Sequence, residues 1–172
     1  MTETQRVQIS ESLPSLLARL WRFGLVLSGD PSTAEDLVQE TCLSALENSH
    51  QLKPGARLDR WTFAILNSIW RNGLRARRIR EEHGFVSPAA APSNDNGGMD
   101  EMAAAQQDLQ EVQSLPEAQR AVILLVYVER LTYSEAAQVL GIALETVRSR
   151  LAAARATLGR LGEQGMDEAE AG

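Results

Sequence analysis

Apolar residues recur along this chain at three- and four-residue intervals, broken by glycine, proline and polar clusters. No stretch sustains an alternation of period two. That pattern predicts α-helices and no β-strand. Leu13, Leu16, Leu17, Leu20, Gly24 and Leu27 form a first helical stripe. Pro14 falls in its first turn, where the missing N–H costs nothing. Gly29-Asp-Pro31 ends that helix. Ser32 and Glu35 have capping-box spacing and open a second helix with Leu37, Val38, Thr41, Ala45 and Leu46 on one face. A polar loop from Asn48 to Arg57 contains Pro54-Gly55. A third helix begins near Leu58 and turns Trp61, Ile65 and Ile69 inward, with Leu66 a further candidate. It ends in an arginine stripe of Arg71, Arg75, Arg77, Arg78 and Arg80.

Pro116 opens a strongly apolar helix (Ala121 to Val128). The run Thr132 to Leu151 then reads as helix, turn and helix. Thr132 and Glu135 again have capping-box spacing. Ala136 and Ala137 are small enough for a close helix crossing, and Gly141 stands where a left-handed C-cap is expected. Val147 and Leu151 lie four apart and anchor the second helix on the first. Its exposed face then carries Glu145, Thr146, Arg148, Ser149 and Arg150. This is the pattern of a helix-turn-helix, whose second helix enters the DNA major groove. The last helix is expected to run through Arg155 to about Leu161.

Between these parts, Ser87 to Gly98 is rich in Pro, Ser, Asn and Gly, has no apolar periodicity and reads as a flexible linker. The expected fold class is all-α: two small helical domains, 1–86 and 108–162, joined by a flexible acidic linker at 87–107 and followed by a disordered acidic tail at 163–172.

Charge sharpens this division. The formal net charge of −6 looks wrong for a DNA-binding protein. However, residues 87–111 hold 5 acidic and no basic side chains, and the tail holds 4 more acids. Both helical parts are therefore slightly basic, which removes the objection. The single cysteine, Cys42, excludes an internal disulfide, and it lies on an apolar helix face where a free thiol behaves as a small hydrophobe. His50 and His83 are isolated, so no metal site and no cofactor is expected. No nucleophile–base–acid set or phosphate-binding glycine loop is visible, so the chain is not expected to be an enzyme. There is no signal peptide and no run long enough to span a membrane, so the default compartment is the cytoplasm without membrane insertion.

The order of parts points to a family. Asp30-Pro-Ser-Thr-Ala-Glu-Asp-Leu-Val-Gln-Glu-Thr41 resembles the core-polymerase-binding helix of bacterial sigma factors of the sigma-70 family. Arg60-Trp-Thr-Phe-Ala-Ile-Leu-Asn-Ser68 with its arginine-rich end is similar to their promoter-melting helix. Leu115-Pro-Glu-Ala-Gln-Arg-Ala-Val-Ile-Leu-Leu125 with the helix-turn-helix looks like their C-terminal domain. The shortness of the chain resembles the extracytoplasmic-function (ECF) class. The Gln51-Leu-Lys-Pro-Gly-Ala-Arg57 loop is similar to that of the alphaproteobacterial general-stress subgroup.

The resemblance implies roles. Glu35, Asp36, Gln39 and Glu40, otherwise readable as a solvated acidic face suited to the helix dipole, would grip the β′ clamp helices of core RNA polymerase, with the β flap as a second polymerase contact. The Leu52–Leu58 loop would capture a base flipped out of the minus-ten element, with Asn48 and Gln51 on the base and Lys53 and Arg57 on phosphate. Arg71, Arg75 and Arg78 would face the DNA backbone of the opening bubble. Trp61 reads as core. Trp70, beside Arg71 and off the main stripe, is open to either role and is counted with the minus-ten set. Glu145, Thr146, Arg148, Ser149 and Arg150 would read the minus-thirty-five element. Arg155 and Arg160 would contact phosphate or stay solvated. The linker acids Asp95, Asp100 and Glu101 would imitate a nucleic-acid backbone inside the polymerase. The implied function is a sigma factor for promoter-specific initiation, held by an anti-sigma factor. The rival readings are a sigma-like decoy that sequesters an anti-sigma protein, and a stand-alone helix-turn-helix regulator. The arginines after Trp70 argue against the first, and the want of an extra dimerisation helix against the second.

Overall fold

The structure, a computed structural model, describes residues 2–84 and 112–158, and every described element is helical. The chain divides into two compact units, at residues 1–92 and 93–172. The linker, the acidic tail, Asp95, Asp100, Glu101 and Arg160 lie outside the described residues.

The first unit is a helical bundle of α1 (Thr2–Ser12), α2 (Leu17–Ser28), α3 (Pro31–Glu47) and α4 (Leu58–Glu82), with a 3-10 turn at Leu13–Leu16 and another at Ser49–Gln51. Leu20, Phe23, Val26 and Leu27 of α2 meet Ala34 and Leu37 of α3 and Phe63 and Leu66 of α4 in a closed core. Each large apolar side chain so buried contributes about 1.5–3 kcal/mol. Phe23 and Phe63 stand edge to face, 5.5 Å between centroids at 88°, the arrangement that aligns a positive ring edge with a negative face.

Four expectations change. The first helix does not start at Leu13: α1 precedes it, and Leu17 is exposed. The α3 cap is Asp30, not Ser32. Asp30 Oδ2 accepts from the Thr33 N–H at 2.9 Å and from Thr33 Oγ1 at 2.7 Å. The cause is Pro31, which lacks an N–H and has the φ of a first helical residue, so the helix begins one step after Asp30. On α4 the inward face is Phe63, Leu66, Asn67 and Trp70, at spacings of three and four. Trp61, Ile65 and Ile69 are only half-buried. Trp61 and Ile65 pack instead against a smaller cluster of Ile9, Leu13 and Ala45, which exists because α1 covers that side.

The second unit comprises α5 (Glu117–Ile123), a π-helical turn (Leu124–Val128), α6 (Tyr133–Leu140) and α7 (Leu144–Leu158). The π turn and Arg130, at φ 59°, redirect the chain into the helix-turn-helix. Thr132 Oγ1 accepts from the Glu135 N–H at 3.1 Å, as the spacing predicts. At the other end of α6, Gly141 has φ 63°. The Ile142 N–H reaches the Ala137 carbonyl at 3.1 Å and the Gly141 N–H the Gln138 carbonyl at 3.3 Å. These are the paired bonds of a Schellman C-cap. Val147 and Leu151 are fully buried and fix α7 on the unit's core.

Candidate nucleic-acid and polymerase interface

Burying Val147, Leu151 and Ala154 on one side of α7 leaves Glu145, Arg148 and Ser149 exposed on the other. Thr146 and Arg150 flank them, half-buried. Glu145 and Arg148 are 3.9 Å apart, with side chains 83% and 58% exposed. Such a pair is worth little in water, so both groups stay available to a partner. Arg155 departs from expectation. Its Nη2 donates to the Tyr133 hydroxyl at 3.0 Å and ties α7 to α6. Burial draws its pKa down, but the Tyr127 and Tyr133 hydroxyls more than offset this. It is half-buried, with one guanidinium nitrogen engaged by Tyr133 in the free protein.

In the first unit, Arg71, Arg75, Arg77, Arg78 and Arg80 are all exposed on the distal half of α4. Packing of Phe63, Leu66 and Trp70 orients that helix and sends the arginines outward. Trp70 is 8% exposed. Its ring belongs to the core face, one turn beyond Leu66 and Asn67, so it is not displayed beside Arg71 as a stacking surface.

The Asn48–Arg57 loop is more tightly tied than its polarity implies. Asn48 Nδ2 donates to the Ser44 carbonyl at 2.9 Å and so closes the end of its own helix, and Asn48 Oδ1 accepts from Gln51 Nε2 at 3.4 Å. Asn48 is thus turned to the helix end. Lys53 to Ala56 form a turn in which Pro54 precedes Gly55 at φ 80° and the Ala56 N–H meets the Lys53 carbonyl at 3.0 Å, the geometry of a type II turn. Arg57 is held by Asp59. Between this loop and α1 lies a groove of about 420 Å3. Lys53 lines it, whereas Asn48, Gln51 and Arg57 do not; Gln5, Gln8, Glu11 and Ser12 supply the α1 side. The sequence reading missed these α1 residues, because a polar segment bearing only Val7 and Ile9 shows no amphipathic stripe.

A second concavity, about 720 Å3 and mainly apolar, lies between α2 and α3. Leu17, Trp21 and Leu43 are exposed along it, and Glu35 and Gln39 line its edge. Asp36 and Glu40 are exposed one step further round α3. Cys42 lines the same trough, and burial pushes its thiol pKa up, which keeps it protonated. Among the described residues no cluster of three metal-ligating side chains occurs, and no helix is long and apolar enough to cross a membrane.

A helix-turn-helix in one unit and an arginine-edged helix in the other are the kind of geometry found in DNA-binding transcription proteins. The family described as Sigma-70 region 2 matches residues 9–79, and Sigma-70, region 4 matches residues 109–158. The ECF RNA polymerase sigma factor EcfG of Rhodopseudomonas palustris is 35% identical over 166 residues, 94% of this chain and 86% of that protein. SigL of Mycobacterium tuberculosis, another ECF sigma factor, is 35% identical over 153 residues, 84% of this chain and 85% of its own. The sigma factor RpoE of Bartonella quintana, solved in complex with the anti-sigma factor NepR, superposes with a TM-score of 0.70 at 29% identity, covering 90% of this chain and 96% of that one. The chain belongs to the ECF RNA polymerase sigma factors of the sigma-70 family, which is not an enzyme family.

Proposed function

We propose that this protein directs core RNA polymerase to specific promoters in the cytoplasm and is held in reserve by an anti-sigma factor, as a member of the general-stress subgroup to which its loop is similar. The observation that carries the reading is the pairing, in one ECF chain, of an exposed polar face on the second helix of a helix-turn-helix with an exposed row of arginines on α4. The α7 face of Glu145, Arg148 and Ser149, flanked by Thr146 and Arg150, reads the minus-thirty-five element. The Leu52–Leu58 loop and Arg71, Arg75 and Arg78 take the minus-ten element and its backbone. Neither unit offers a large basic surface, so free affinity for duplex DNA is weak. Polymerase supplies the missing affinity by holding both units at once, which makes the second contact effectively intramolecular.

The trough between α2 and α3 fits the polymerase side. Leu17, Trp21 and Leu43 offer apolar area, and Glu35, Asp36, Gln39 and Glu40 offer acceptors, a combination suited to the β′ clamp helices; the second unit meets the β flap. An anti-sigma factor covering the same trough would exclude polymerase, and the complex of RpoE with NepR supports a partner of that kind. Run-off transcription with purified core polymerase, with and without this protein, on genomic promoter fragments tests the reading. Discrete transcripts that require the protein are expected. Binding to core or to an anti-sigma protein without transcripts turns the reading to a decoy.

A further inference from the structure

Among the described residues, Arg130 is the one residue other than glycine with a positive φ, 59°. A left-handed residue that carries a Cβ is strained, and glycine is the usual occupant of such a corner at a helix end. The corner is fixed from both sides. The Glu129 N–H bonds to the Leu124 carbonyl at 2.9 Å, and the Leu131 N–H to the Leu125 carbonyl at 2.9 Å. Leu131 is buried in the unit's core, so Arg130 must take the turn between them. The Arg130 side chain is exposed, so burial does not offset the strain. Strain of this kind persists where the surrounding structure enforces it, and it clusters at functional sites. The corner also borders the reading face of α7. Arg148 and Arg155 are seven residues apart, two turns along one stripe of that helix. Arg155 Nη2 meets the hydroxyl of Tyr133, the first residue of α6, at 3.0 Å. The start of α6 therefore lies beside the stripe that carries Arg148, and Arg130 stands three residues before it. Glu129 is turned inward. The exposed charge between Glu129 and Ser134 is thus that of Arg130, and the N-terminus of α6 adds the positive end of its dipole.

We propose that Arg130 is a further phosphate contact to the promoter duplex, beside the bases that α7 reads, held in place by the left-handed corner between the π turn and α6. This rests on the sigma-factor reading above and goes beyond its minus-thirty-five set. A helix-turn-helix docks with its first helix across the DNA backbone, so a guanidinium just ahead of that helix meets phosphate rather than a base edge. Such a contact adds affinity that depends on salt and not on sequence. Glycine at this corner would relieve the strain and remove the charge, so fold stability and DNA affinity should move in opposite directions.

The test uses holoenzyme assembled from the full chain and core polymerase, on duplex promoter fragments identified by run-off transcription, at several salt concentrations. Arg130→Gly is expected to raise the melting temperature of the free protein. It is also expected to weaken holoenzyme binding several-fold, equally for every base variant of the minus-thirty-five element. The slope of log affinity against log salt should fall in magnitude by about 1, and Arg130→Lys should keep it. Methylphosphonate replacement of single phosphates locates the contact: one position is expected that weakens the wild type and not Arg130→Gly. A merely structural role would move the melting temperature and leave the slope alone. An unchanged slope in Arg130→Gly, or equal methylphosphonate effects in both proteins at every position, overturns the contact and leaves the sigma reading standing. Weaker binding of core polymerase by Arg130→Gly in the absence of DNA gives the residue to a polymerase surface and overturns the contact equally. Absence of promoter-dependent transcription by the wild-type chain overturns the reading on which the inference rests.

Discussion

Arg57 grips both carboxylate oxygens of Asp59: Nη2 donates to Oδ2 at 2.7 Å and Nε to Oδ1 at 3.2 Å. Arg19 of α2 joins them, donating to Oδ2 at 3.1 Å while its guanidinium lies 5.3 Å from the Phe63 ring centroid. One carboxylate thus fastens the end of the Asn48–Arg57 loop to the first turn of α4, and α4 to α2. The guanidinium that sequence reasoning gave to phosphate is committed to Asp59 in the free protein.

Replacing that carboxylate should loosen the first unit. Burial pushes the Asp59 carboxyl up, but hydrogen bonds from Arg57, Arg19 and the Arg60 N–H outweigh it and hold the pKa below the usual 3.8. A depressed folded pKa favours the folded state above the unfolded value, and that advantage is lost as pH falls through the folded value. The urea midpoint of the wild type is therefore expected to fall between about pH 5 and pH 2. Asp59→Asn should lose about 1–2 kcal/mol at pH 7 and show a shallower acid decline. Parallel acid declines in the two proteins would remove Asp59 from this role.

Gly24 lies where α2 crosses α3. A Cβ added there would stand 3.2 Å from Ala34 Cα and 3.4 Å from Ala34 Cβ. Alanine gains about 1 kcal/mol of helix propensity over glycine, yet both partners here are backbone-close and the crossing has little room to open. Gly24→Ala is expected to be net destabilising by about 1 kcal/mol, and Gly24→Val by about 3 kcal/mol. Thermal unfolding of the isolated protein reads both. A gain in stability from Gly24→Ala would show that the crossing yields.

The sequence pattern located the helices where glycine, proline and capping residues mark their ends, as at Gly29, Thr132 and Gly141. It failed where tertiary packing decides. The polar segment Thr2–Ser12 is a helix because Ile9, alone among its described side chains, is buried beneath it. Without that helix in view, the α4 stripe was phased on Trp61, Ile65 and Ile69 instead of Phe63, Leu66 and Trp70. The exposed residues of α3, distal α4 and α7 were legible because what a helix does not bury it must display. Asn48, Arg57 and Arg155 were not, because their engagement depends on Ser44, Asp59 and Tyr133, whose proximity no spacing rule gives.

The Schellman cap at Gly141 sets the angle at which α7 is presented. At φ 63° a side chain costs about 1–2 kcal/mol. Gly141→Ala should lower the stability of the second unit by that amount, and Gly141→Val by more. Since Val147 and Leu151 lie beyond the turn, the fold should survive. Transcription from promoters that depend on the minus-thirty-five element should drop further than unfolding accounts for at temperatures where the variant is folded. Full activity under those conditions would mean that the turn does not set the docking angle.

On the proposed reading, Arg148 and Arg75 should separate two modes of DNA contact. Arg148 sits on the exposed face of α7 with only a 3.9 Å surface partner in Glu145, whereas Arg75 is exposed among like charges on α4. A side chain that reads a base edge costs about 1–3 kcal/mol when removed and relaxes discrimination at one base pair. One that meets phosphate weakens all sequences alike and lowers the salt slope by about 1. Arg148→Ala is therefore expected to flatten base preference at a single minus-thirty-five position with the salt slope nearly unchanged. Arg75→Ala should reduce the slope and leave every base preference intact. Holoenzyme affinities measured across single-base promoter variants at several salt concentrations decide between them. An interchange of the two patterns would mean that α7 meets phosphate and α4 reads sequence.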